Sequence, residues 1–198
     1  MHAFSSLSGE FQECVFADKR LGNRAKRAIE EIARDPSRSF PLTFTDPSQL
    51  EGFYRFMSNE RVTLDDVIGG HVSETLKRAA MKKRCLAVHD TTDFQFTGER
   101  DDLGVVDRSQ RGFYAHVCLC VSADGLREPL GLLALDTWTR QEKKGKRALQ
   151  ERKLEPELES RRWLEQSLDV EDLVGERTRL IHVEDREGDI FESLEMRI

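Results

Sequence analysis

Apolar residues follow a helical period through the first eighty positions and a strand period after that. Phe4, Leu7, Phe11 and Val15 are spaced as on a helix. Leu21, Ala25, Ala28, Ile29 and Ile32 form one face of a second helix, which Pro36 ends. Ser39 to Pro41 reads as a connector. Asp46 and Pro47 mark a third helix, as N-cap and first helical residue, running through Leu50, Phe53, Tyr54 and Met57. Thr63 caps a fourth, with Asp65 and Asp66 in its first turn and Leu64, Val67, Ile68, Val72, Leu76 and Ala79 on its apolar face.

From Lys83 the period changes. Cys85 to His89 is a short buried strand. Thr97 to Gly112 is polar and reads as a loop. Phe113 to Val121 and Pro129 to Trp138 are two strands joined through the Ser122-Ala123-Asp124-Gly125 turn. Gln141 to Lys153 is charge-dense and reads as a solvated excursion. Leu154 to Leu168 is a helix with Leu158, Trp163 and Leu164 inward. Thr178 to Val183 is a fourth strand, and a last helix begins near Asp189. The expected class is α+β: a small helical domain over 1–80, then a mixed β-sheet with helices over 81–198. A three-strand meander, a crossover helix and a strand parallel to the first is an RNase H-like order. It sets strands one and four side by side.

That order gives the acidic residues a meaning. Asp90 follows the first buried strand and Asp185 the fourth, so about 95 residues of chain separate two acids that the sheet brings together. Paired carboxylates suit Mg²⁺ or Mn²⁺, which prefer oxygen ligands. Such ions activate a water or a 3′-hydroxyl for phosphodiester cleavage. The competing readings are local: Asp90 capping a loop through the Thr91 and Thr92 amides, and Asp185 starting a helix. His89 and His182 read as strand packing or as groups behind the ligands. Glu184 alternates to the face opposite Asp185.

Composition refines the picture. The chain has 198 residues, 38% hydrophobic and 34% charged, with net charge −6. That total does not advertise nucleic-acid binding, but Lys19 to Arg38 holds seven basic and three acidic residues. Arg20, Arg24, Arg27 and Arg34 share a helix face interrupted by Glu31, which can be a solvated face or a phosphate-contacting one. Cys85, Cys118 and Cys120 fall in apolar runs as core residues, and Cys118-Leu-Cys120 lacks zinc-pair spacing. No apolar run approaches a membrane span and nothing resembles a signal peptide, so a reducing cytoplasm and no membrane partner are expected.

Several stretches, in this order, carry a resemblance. They are F-A-D-K-R-L-G-N-R at 16–24, G-F-Y-R-F-M-S-N at 52–59, R-V-T-L-D-D-V-I at 61–68, H-D-T-T-D-F at 89–94, L-G-V-V-D-R-S-Q-R-G-F-Y-A-H at 103–116, D-G-L-R-E-P-L-G-L-L at 124–133 and H-V-E-D-R-E-G-D-I at 182–190. From Phe16 onward the chain resembles the amino-terminal part of bacterial DDE transposases of the Tn-five and IS-four type. The resemblance implies helices that bind the transposon end and an RNase H-like core with three metal-binding acids. Asp90 falls on the first acid and Asp185 on the second. Arg20, Arg24, Lys26, Arg27 and Arg55 fall in the segments the family uses on DNA, and Arg55 matches residue for residue.

The family's third acid lies in a tyrosine-two-arginine-three-glutamate-six-lysine signature. Neither tyrosine here, Tyr54 or Tyr114, has an arginine three positions on. Glu192 and Glu195 do not replace the missing acid. The expectation is a truncated cut-and-paste transposase, inactive alone, with DNA ends, a second copy or a full-length transposase as partners. The alternatives are a DNA-binding regulator of a full-length enzyme and a non-functional gene remnant.

Overall fold

The structure is a computed structural model, and it describes residues 7–11, 14–98, 103–107, 110–139 and 159–185. It is α+β: helices come first, then a five-stranded mixed sheet with a further helix. Two compact units divide the chain, Met1–Glu74 and Thr75–Ile198.

The helical unit comprises α1 (Leu7–Glu10), α2 (Lys19–Arg34), α3 (Phe40–Thr43), α4 (Pro47–Met57) and the first part of α5 (Leu64–Ala79). Local chemistry sets each start. Asp18 caps α2 by accepting from the Arg20 amide at 2.8 Å. Asp46 caps α4 by accepting from the Ser48 amide at 2.8 Å, with Pro47 in the first turn. Thr63 Oγ1 accepts from the Asp66 amide while Asp66 Oδ2 accepts from the Thr63 amide, a reciprocal cap for α5. Two small cores hold the unit. Leu21, Ala25 and Phe56 pack with Phe16, Val62 and Val67; Ala28, Phe44 and Phe53 pack with Ile32 and Leu50. The connector expected at Ser39–Pro41 instead enters the one-turn helix α3. Its Phe40 and Phe44 rings both lie 4.7 Å from that of Phe53.

The sheet consists of β1 (Arg84–Phe96), β2 (Gly104–Asp107), β3 (Gln110–Ser122), β4 (Pro129–Trp138) and β5 (Arg179–Val183). β3 pairs antiparallel with β1 on one edge and with β2 and β4 on the other. β5 runs parallel to β1, with Arg84 opposite Arg179 and Val88 opposite Val183. The first and last strands are therefore neighbours, as the order of elements suggested. The remaining helix, α6 (Glu159–Val174), supplies Val170 and Val174 to the core. Ala79, Cys85, Ala87, Cys118, Cys120, Leu130, Leu133 and Leu180 complete it. All four cysteines are free, and the three on strands are buried.

Three element boundaries differ from expectation. β1 does not stop at His89 but continues to Phe96, because β3 pairs with it throughout. The loop expected over 97–112 contains β2 and the start of β3. Gly112 permits this: a Cβ there would lie 1.9 Å from the Phe94 carbonyl oxygen and 2.6 Å from Val106 Cγ2. α6 passes Leu168 and ends only at Gly175, whose φ of +67° suits a residue without a side chain. The charged excursion at 141–153 and the helix expected from Asp189 lie outside the described residues.

Candidate nucleic-acid interface and strand-end acids

On α2 the core residues Leu21, Ala25 and Ala28 occupy one side. Arg20, Arg24 and Arg27, spaced four and three apart, share another. Lys26 projects from a third direction, and all four cations are exposed. Among the described residues none of the four is ion-paired, whereas Arg34 pairs with Glu31 and Arg38 with Asp35. An exposed base without a carboxylate partner keeps its field for a phosphate. α4 lies alongside: a Cβ at Gly52 would meet the Arg24 guanidinium at 3.7–3.8 Å. Arg55 follows Gly52 by three residues, nearly one turn, so it extends the basic strip of α2 onto α4. Arg55 holds Glu51 in an exposed i,i+4 pair. Such pairs contribute little and can exchange partners. Tyr54, beside Arg55, is half exposed at 47%.

Residues 5–62 match a family model. It is described as transposase DNA-binding. The matched stretch takes in α2, α3 and α4, and with them Arg20, Arg24, Lys26, Arg27 and Arg55. The helical unit thus contains a stretch similar to transposase DNA-binding domains, and DNA is the partner this supports. Among the described residues no helix is long and apolar enough to cross a membrane.

In the sheet unit, Asp90 and Asp185 are both exposed. Each stands two residues beyond the last β1–β5 pair, Val88 with Val183. Continuing that register makes them counterparts, on the same face by alternation. Both carboxylates, with Asp136 and Glu184, act on the buried His116 and favour its charge, while burial more strongly disfavours it. Asp90 is not at a strand tip as the sequence suggested: β1 runs on beneath it, and what ends there is its pairing with β5.

The opposite face of the same region holds a buried polar network that the sequence did not reveal. His116, His89 and His182 are stacked, with centroids 5.7 and 5.2 Å apart. The Trp163 ring stands edge-on to His116 at 4.4 Å. Gln166, buried on α6, donates from Nε2 to Asp136 Oδ2 at 2.8 Å and to the His116 carbonyl at 3.2 Å. Its Oε1 lies 3.1 Å from His89 Nδ1. Burial, then the neighbouring His182, lowers His89 to about 4. Burial pushes the Cys118 thiol up to about 12. One ligand-type atom from each of His89, His182 and Glu184 falls within 4.8 Å of the others. Two histidines on buried or half-buried strand positions, and a glutamate two residues after the second, were the available signal.

Proposed function

We propose that the chain binds transposon-end DNA through α2 and α4, and that it is a DDE transposase of the Tn-five and IS-four type. The observation that carries the reading is the run of unneutralised bases Arg20, Arg24, Lys26 and Arg27, inside the segment matching a transposase DNA-binding model. Arg55 joins them on the neighbouring helix. In this reading the sheet is the RNase H-like core and Asp90 and Asp185 are two of its acids. Support for that part comes from the shared register past Val88 and Val183. Two exposed carboxylates fit Mg²⁺ or Mn²⁺, since such ions bind through one or two carboxylates and keep several waters. When bound, the ions supply charge for activating a nucleophile and stabilising a leaving oxygen. Asp90 and Asp185 hold them, and the basic strip holds the substrate backbone.

The test is retardation of a duplex carrying transposon-end sequence, read across a salt series. Binding should weaken as salt rises. Neutralising Arg24, Arg27 and Arg55 together should flatten the logarithmic slope by roughly 0.9 per lost phosphate contact. No retardation at low salt, or a slope untouched by the triple variant, refutes the assignment.

The basic run of α2 by itself supports a second reading, a DNA-binding regulator that occupies ends without cutting them. End binding with no nicking in Mn²⁺ supports the regulator. Nicking that Asp90→Ala abolishes supports the enzyme.

A further inference from the structure

The histidine network poses a problem of hydrogens that neither reading above addresses. His89 Nδ1 faces Gln166 Oε1 at 3.1 Å, and His182 Nε2 faces Glu171 Oε1 at 2.9 Å. Both contacts fix a tautomer. The Gln166 amide is oriented by its own donors, because Nε2 reaches two acceptors, the Asp136 carboxylate and the His116 carbonyl. Turning it over would set its oxygen against both. Gln166 Oε1 is therefore the acceptor, and His89 Nδ1 carries the hydrogen. A carboxylate only accepts, so His182 Nε2 carries its hydrogen too. In two neutral rings this leaves His89 Nε2 and His182 Nδ1 as lone pairs, and they stand 3.0 Å apart. The Cys118 thiol, 3.6 Å from His89 Nε2, offers a weak donor to one of them and does nothing for the other.

Facing lone pairs at that distance call for a positive centre between them, either a proton on one ring or a metal ion. The carboxylate of Glu184 closes a third side, with an oxygen within 4.8 Å of a ring nitrogen of each histidine. We propose that His89 Nε2, His182 Nδ1 and a carboxylate oxygen of Glu184 bind one Zn²⁺ ion. Two imidazoles and a carboxylate are a zinc donor set, whereas Mg²⁺ prefers oxygen throughout. Nitrogens ~2.05 Å from a tetrahedral zinc lie about 3.3 Å apart, so the observed pair needs only slight opening. Glu171 and Gln166 accept from the far N–H of each ring, the outer support that metal-binding histidines use. The Ser167 hydroxyl donates to Glu184 Oε1 at 3.2 Å. By alternation the set lies on the face opposite Asp90 and Asp185, so this ion is distinct from any held by the two acids. It ties the end of the five-residue strand β5 to β1. The inference does not rest on DNA binding and survives if that reading fails.

The test strips the full chain with chelator, then titrates Zn²⁺ by calorimetry and Co²⁺ by visible absorption. One equivalent should bind, with the spectrum of nitrogen and oxygen ligation. His182→Gln and Glu184→Gln should each weaken Zn²⁺ by at least tenfold. Glu171→Gln should weaken it by roughly ten- to a hundredfold. Asp90→Asn with Asp185→Asn should leave it unchanged. Because His89 is buried, His182 and Glu184 carry the test, with each variant's unfolding midpoint in chelator compared with that of the parent. Three results overturn the proposal: no stoichiometric uptake, uptake indifferent to folded His182→Gln and Glu184→Gln variants, or a thiolate-to-cobalt band that Cys118→Ala removes.

Discussion

Gln166 shows how much buried order one side chain can carry. Its two donors and one acceptor satisfy Asp136, the His116 carbonyl and His89 Nδ1 together. Gln166→Leu keeps a similar volume and abandons all three. At roughly 1–3 kcal/mol for each buried group left without a partner, the unfolding free energy should drop by about 3 kcal/mol or more; a urea midpoint within error of the parent would contradict this. His89 adds a pH dependence. Its folded value near 4 lies below the usual 6.5 because burial disfavours the imidazolium. The unfolded chain therefore binds more protons between these values. Stability is complete above about pH 6.5 and is lost as pH falls toward 4, by an amount on the order of 3 kcal/mol. Urea unfolding in chelator from pH 7.5 to 4.5 should show the decline, and a flat profile would show that His89 is not held neutral. None of this was legible beforehand. A histidine on a strand is visible in a sequence, but its partner 77 positions away is not.

Elements were more legible where their signals are local. α2, α4 and α5 follow from apolar spacing and from caps only two or three residues from the amides they satisfy. Thr63→Ala removes one half of the α5 cap and leaves the Asp66 amide without its acceptor. The expected cost is about 1 kcal/mol, read from the thermal midpoint of the helical signal, while Thr63→Ser should restore most of it. Strands were harder, because their extent depends on the neighbour as much as on the strand itself. β1 alternates buried and half-buried residues to His89 and is then mostly exposed to Phe96, so its second half has no core signature. What keeps it a strand is β3: Phe94 and Phe96 both stack on Phe113, at 4.9 and 6.0 Å. β2 has four residues and pairs with the first residues of β3, which a polar stretch cannot announce. The polar Gln166 and Ser167 sit on the buried side of α6 and hide its period past Leu168. The candidate basic strip was legible because charge spacing on a helix is itself local. The His–His–Glu cluster was not, because it needs two strands in register.

At the scale of the whole molecule, charge and topology each give an ordering. The net charge is −6, yet Arg20, Arg24, Lys26 and Arg27, exposed on α2, have no carboxylate partners among the described residues. In the proposed reading DNA contact is thus a property of one surface, acting against the average. The sheet has a comparable hierarchy. β3 is bonded on both edges, to β1 on one side and to β2 and β4 on the other. β1 is bonded on both edges only from Arg84 to Val88, and β5 pairs with β1 alone among the described residues. Opening β3 requires breaking two ladders, and opening β5 only one short parallel ladder. Amide exchange should therefore be slowest in β3, slower in 84–88 than in the rest of β1, and fastest among these in β5. Exchange in β5 as slow as in β3 would contradict its edge position. Zn²⁺ should slow the Leu180–Val183 amides selectively, since the ion would join the His182 and Glu184 side chains to His89 across the β1–β5 ladder. Slowing spread evenly over the sheet would mean that the ion acts elsewhere.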